Sequence, residues 1–212
     1  VSCADSSDPE ESTEITTAAV VDPTPETDSN YDDNGYLKDN IPADTNFGGE
    51  TVSILYWSDV ERPEFTVDEL SGDLVKDAIY TRNLHVEDRL GVTLNWIGAK
   101  GNYSNLSGFI STIENDYNGS GEYQIYAGYS MFASTATVKG FHRDLKTVGG
   151  LDFSQPWWPA PFLDTVTIRD KVYFCTGDIS TNTLYMMYCT WYTKELADEY
   201  KITDLYDLAN NG

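Results

Sequence analysis

Apolar positions along the chain take on regular periods only from about residue 49 onward. "TVSILYW" (51–57) is a short run of β-branched and aromatic residues bounded by polar ones, the pattern of a buried strand. A loop carrying Pro63 follows. Val75, Ile79, Val86 and Leu90, with Ala78 beside them, then recur close to the 3.6-residue period and predict a helix over about 68–90. Gly91 comes directly after the last of them, where a C-terminal cap belongs. "VTLNWIG" (92–98) predicts a second strand. Leu106, Phe109, Ile110, Ile113 and Tyr117 share one face of a second helix over about 103–118, and "NGSG" (118–121) ends it. "EYQIYAGYS" (122–130) predicts a third strand and "FASTATVKG" (132–140) a short helix.

Strands alternating with helices predict an α/β fold with a parallel sheet and right-handed crossovers. Ligands of such sheets collect beyond the carboxyl ends of the strands. Here those ends read "YWSD" (56–59), "IGAKGN" (97–102) and "AGYS" (127–130). They offer indole, phenol, hydroxyl and carboxylate groups, and none is a glycine-rich phosphate loop. After about residue 150 the texture changes. "LDFSQPWWPAPF" is an aromatic, proline-rich crossing segment, and "VTIRDKVYFCTGD" predicts a hairpin turning at Arg169-Asp170. "TLYMMYCTWYT" predicts another strand, with Trp191 in a core. "KELADEYKI" and "DLYDLANN" predict short helices.

Charge narrows the function. The net charge is −22, and 13 of the 35 acidic residues, with a single lysine, lie in the first 50 positions. Such a surface repels phosphate backbones, so no nucleic-acid partner is expected. No apolar run approaches the roughly 18–20 residues that span a bilayer. The only histidines are His85 and His142, both expected to be solvated, so a Ser-His-Asp or metal site has little material, and neither an enzyme nor a cofactor or metal is expected. Cys175 and Cys189 are open to two readings, a pair across neighbouring strands or two buried free thiols.

Residues 4–48 are acidic and rich in Ser, Thr and Pro, and are expected to stay unstructured as a self-repelling tether. They follow Val1-Ser2-Cys3, which resembles the end of a bacterial lipobox. That likeness implies a lipid on Cys3, and an anchor that attaches the protein without spanning the membrane.

A lipobox, an acidic tether and a β-α-β-α-β lobe together resemble the extracellular solute-binding lipoproteins of ABC importers. "AIYTRNLHVEDRLGVTLNW" is similar to that family's helix and second strand. "LDFSQPWW", "IRDKVYFCTGDIS" and "WYTKELADEYKITDLYDLANNG" are similar to the stretch where its chains cross into a second lobe. The nearest group is the family-1, sugar-type binding proteins. The resemblance covers about 49–212. It implies a periplasmic-binding-protein-like type II fold. Residues 1–48 would be the lipoprotein N-terminus and tether, 49–156 the first α/β lobe, and 157–212 the crossing segment and the start of a second α/β lobe. It further implies a monomer on the extracellular face of the bacterial membrane, held there by its lipid alone. That monomer would pass a small molecule, in this group a sugar, to ABC permease subunits. Such chains are normally about twice this length, so a cleft closed by two lobes is expected to be incomplete here. The competing readings are a cell-surface adhesin or glycan-binding scaffold, and a peptide-binding importer component.

Sugars present apolar C–H faces to aromatic rings and hydroxyls to polar groups at the ring edges, which suits Trp and Tyr. Trp57 ends the first strand and faces either cleft or core. Tyr129 and Ser130 end the third. The resemblance adds Ser58 and Asp59, in a loop where similar proteins place ligand hydrogen bonds, and Asp178 of "TGDIS" on the second-lobe side. Trp157 and Trp158 are adjacent and so point opposite ways on an extended chain, with Trp157 the candidate for the cleft.

Overall fold

The computed structural model describes residues 30–31, 37–60, 62–189 and 191–202 and, singly, Leu205, Asp207 and Asn210. Cys3, most of the expected tether and most of the helix expected at "DLYDLANN" lie outside the described residues. The chain divides into two units, Val1–Asp39 and Asn40–Gly212. In the first, Tyr31 and Leu37 form an isolated antiparallel bridge, and Lys38 N donates to Asn30 O at 2.8 Å.

The second unit is built on three parallel strands in the order β2-β1-β3. β1 (Glu50–Trp57) pairs along its whole length with β2 (Val92–Ala99), from Glu50 opposite Val92 to Trp57 opposite Ala99. β3 (Ile125–Ala127) lies on the other side of β1, with Ile54 opposite Ile125. It is shorter than the run 122–130. The Gln124 side-chain oxygen accepts the Ser53 N–H at 2.7 Å, standing in for a ladder carbonyl, and Tyr129 already leads into the next helix.

α1 (Leu74–Leu90) joins β1 to β2. It starts later than residue 68 because the Asp73 carboxylate caps it, accepting from Val75 N and Lys76 N at 3.0 Å each. Of its predicted stripe only Ile79 is buried, whereas Val75 is exposed. Gly91 ends the helix in the left-handed conformation, φ 60°, with Asn46 packed so close that a Cβ would lie 2.5 Å from it. The folded body begins ahead of Gly49, because Phe47 N donates to Leu90 O and Arg89 Nη2 to Ile41 O.

α2 (Leu106–Asn118) follows a 3-10 turn at Tyr103–Asn105 and joins β2 to β3. With α3 (Ser130–Val138) it covers one face of the sheet. Leu55, Phe109, Ile113, Phe132 and Ala136 form the centre of that core. Trp57, Ile97 and Ala99, on the same face by strand alternation, pack against it. Tyr117 ends on the exposed side, its ring tilted against Phe141 at 5.0 Å. The opposite face of the sheet carries Tyr56 edge-on to Trp96 at 5.8 Å, with Phe65 stacked on Trp96.

The rest is loop-rich. Phe174, from beyond the expected junction at 156/157, packs against this same core. α4 (Ala160–Val166) buries Leu163. The predicted hairpin is reduced to one bridge, Ile168 with Lys171, around Arg169 (φ 49°) and Asp170 (φ 65°), a two-residue turn with both central residues left-handed. The strand expected at "TLYMMYCTWYT" is not formed. Residues 181–185 are a short helix, α5 (Thr181–Tyr185), and Met186–Cys189 have no regular structure. A strand needs a neighbour to pair its backbone groups, and no described residue pairs with this run. Trp191, expected in the core, is 89% exposed. α6 (Lys194–Glu199) follows as predicted.

Cys175 and Cys189 are both free. Burial raises the Cys175 thiol to about 11, whereas Cys189 is exposed rather than buried. His85 is exposed, as expected. His142 instead sits half-buried beside Tyr126, its Nδ1 3.0 Å from Thr137 Oγ1, and burial lowers its pKa.

Candidate functional site

Strand order β2-β1-β3 makes β1 the place where the chain reverses direction across the sheet, and ligands of open α/β sheets bind just beyond such a reversal. Two of the predicted residues meet there. The rings of Trp57, at the end of β1, and Tyr129, at the cap of α3, are parallel with centroids 5.7 Å apart, an offset stack. Close glycines seat the indole. A Cβ on Gly101 would come within 2.8 Å of Trp57 Cβ, and one on Gly128 within 3.1 Å of its ring. Ser130, next to Tyr129 in the chain, is exposed, whereas Ser58, expected at the same cleft, turns to the opposite face of the sheet, where its Oγ lies 3.2 Å from the place a Cβ on Gly98 would take, close to Tyr56. Ser58 also continues the ladder, its N–H donating to Ala99 O at 2.8 Å.

Asp59 is spent on the fold. Its carboxylate accepts from Gly101 N at 2.7 Å, Asn102 N at 3.0 Å and Asn105 Nδ2 at 3.0 Å, and so fastens the loop leading into α2. Burial acts to raise its pKa, but these donors outweigh it and hold the carboxyl below the usual range. With its oxygens occupied, Asp59 is a loop clamp more than a ligand group.

Trp157 and Asp178 are joined to each other by Asp178 N donating to Trp157 O at 3.3 Å. Trp157 and Trp158 are both half-buried, and Trp158 packs on Phe153 and Gly177. Asp178 is exposed. With Thr181 it borders an open cavity of about 430 Å³ whose other wall is the first half of α1, including Leu74, Val75, Ile79 and Arg82. The cavity wall is mainly aliphatic.

The residue that connects these two groups escaped the sequence reading. Glu64 is 5% exposed. Its Oε2 accepts from Trp57 Nε1 at 2.9 Å and from Asn182 Nδ2 at 3.0 Å, and its Oε1 accepts from the Ser180 hydroxyl. Beside it, Arg82 and Asn83 both donate to Phe65 O, at 2.7 and 2.9 Å, and Arg82 also reaches Ile179 O at 3.3 Å. Burial lowers the Arg82 pKa, and the Glu64 charge opposes that shift. The Arg-Asn pair quoted in the family resemblance thus pins the loop that carries Glu64. In sequence Glu64 is one acidic residue among 35, and no spacing sets it apart.

Among the described residues no group of three or more His, Cys, Asp or Glu is placed to hold a metal ion, and no helix is long and apolar enough to cross a membrane. The arrangement offers a half-buried aromatic stack with the exposed Ser130 next to it in the chain, suited to a ligand with an apolar face. No protein-family model, no curated protein and no solved structure matches the chain.

Proposed function

We propose that the chain is an extracellular substrate-binding lipoprotein of an ABC importer, with a periplasmic-binding-protein-like type II lobe, and that it captures a carbohydrate for delivery to a membrane permease. The observation that carries this reading is the Trp57–Tyr129 stack at the strand reversal, with the exposed Ser130 next to Tyr129 in the chain. An aromatic face matches the apolar C–H face of a sugar ring, and the Tyr129 phenol and Ser130 hydroxyl are groups of the kind that meet its hydroxyls. The Val1-Ser2-Cys3 start and the acidic stretch after it support the lipid-anchored location.

Saturation-transfer NMR tests it, because the method detects binding as weak as millimolar. Oligosaccharides of differing composition are mixed singly with the chain, and short peptides are run in parallel. Transfer to sugar ring protons, lost in Tyr129→Ala, is the expected result. Transfer to peptides alone selects a peptide-binding component. Retention on insoluble glycan without transfer to any soluble sugar selects a surface scaffold. No transfer and no retention overturn the carbohydrate reading. The anchor is tested separately. Cys3→Ala in the precursor is expected to release the protein from the membrane fraction into the medium.

A further inference from the structure

A buried carboxylate is costly unless donors and a counter-charge satisfy it. Glu64 is satisfied by donors that lie far apart in sequence. Trp57 comes from the end of β1, whereas Ser180 and Asn182 come from a stretch more than a hundred residues later. The same stretch is tied at two more points, Thr181 Oγ1 to Pro63 O at 3.3 Å and Ile179 O to Arg82. All of these ties end on the loop at 63–65 or on α1.

We propose that Glu64 is a positioning residue that couples the Trp57–Tyr129 ring pair to the segment 178–182. One carboxylate both fixes the indole through its N–H and fastens that segment to the end of β1. A change in how either partner is seated is therefore felt by the other. The segment also forms one wall of the cavity against α1, so releasing it widens that cavity. That a ligand on the ring pair exploits the coupling rests on the carbohydrate reading. The coupling itself does not.

The test uses the full chain without sugar, so a protein that binds no carbohydrate leaves it valid. The Trp57 indole N–H resonance is assigned by its loss in Trp57→Phe. Ser180→Ala and Asn182→Ala touch no atom of the indole, yet both are expected to shift that resonance. In the other direction, Trp57→Phe is expected to speed hydrogen exchange several-fold at Ser180 N and Thr183 N, which donate to Gly177 O and Ser180 O. Glu64→Leu removes the shared acceptor and is expected to speed the same amides by roughly tenfold or more, the scale of hydrogen bonds to a charged group. Glu64→Gln keeps an oxygen for Trp57 and Asn182 and turns its amide to the Ser180 hydroxyl, which accepts. Its exchange is expected to lie between wild type and Glu64→Leu, because neutral hydrogen bonds replace charge-assisted ones. An indole resonance unmoved in both Ser180→Ala and Asn182→Ala overturns the coupling, as does unchanged exchange in Trp57→Phe. A Gln variant as fast as the Leu variant overturns it too, because the Glu64 charge beside Arg82, and not the shared acceptor oxygens, would then be holding the segment. If Glu64→Leu does not fold, the other variants decide.

Discussion

The stretch 50–138 and the stretch 176–202 are both rich in large apolar residues, yet they end in opposite places. In the first, Leu55, Phe109, Ile113 and Phe132 are almost fully buried in one interlocked core. In the second, Met186, Tyr188 and Trp191 lie open to solvent, with Tyr188 fully exposed. The difference is period. Phe109, Ile110 and Ile113 recur at helical spacing, so one face can bury them all against a paired strand. Leu184 to Tyr188 is apolar at every position and favours no face. Hydrophobic content alone does not create burial. It needs a pattern that matches an element and a second element to receive it.

The sharpest break in this comparison is Phe109→Ala. The ring is wholly buried and tilted against Phe132 at 4.7 Å. Truncation leaves a cavity under both β1 and α3, and a loss of about 3–5 kcal/mol is expected in urea unfolding. A loss below about 1 kcal/mol would mean that the core of the first stretch is no tighter than the second.

How much was legible follows the same line. β1, β2, α1, α2 and the Gly91 cap could be read because each rests on local period or local chemistry. The later start of α1 was also written locally, in Asp73, but the apolar stripe drew the expectation forward to residue 68. β3 came out short for a nonlocal reason, since Gln124 bonds across to Ser53. At the site, Trp57 and Tyr129 were found because ligand positions in a parallel sheet follow from strand ends. Asp59 was named from the family likeness, but its role depends on donors more than forty residues away. Glu64 was missed altogether, because what distinguishes it is burial beside residues 180 and 182, and no single-chain pattern records that.

A smaller effect separates the loop clamp from a ligand group. Asp59→Ala removes the acceptor of three hydrogen bonds, and a loss of about 1–2 kcal/mol at neutral pH is expected, as for other capping carboxylates. The Asp59 carboxyl is depressed in the folded state, so its contribution is present above the ordinary carboxylate pKa of about 4 and is lost as pH falls through the lower folded value. The difference between wild type and Asp59→Ala should therefore shrink on acidification below about pH 4. A difference that stays constant from pH 7 to pH 3 would show that the loop is held by something other than the ionised carboxylate.

The smallest expected effect tests the second stretch directly. Trp191 is 89% exposed. Replacing it by Ser removes a large ring that contributes almost no buried surface, so urea unfolding is expected to change by no more than about 0.5 kcal/mol in either direction. Trp191→Ser also lowers the exposed apolar area to which Tyr188 and Met186 contribute, and solubility is expected not to fall. A null result for stability carries weight here because Phe109→Ala, a truncation of similar kind, is expected to cost several times more. If Trp191→Ser instead costs more than about 1 kcal/mol, the ring is packed in solution and the stretch has found a receiving surface. The contrast between patterned and unpatterned hydrophobicity would then fail for this chain, and the search would turn to what covers Trp191.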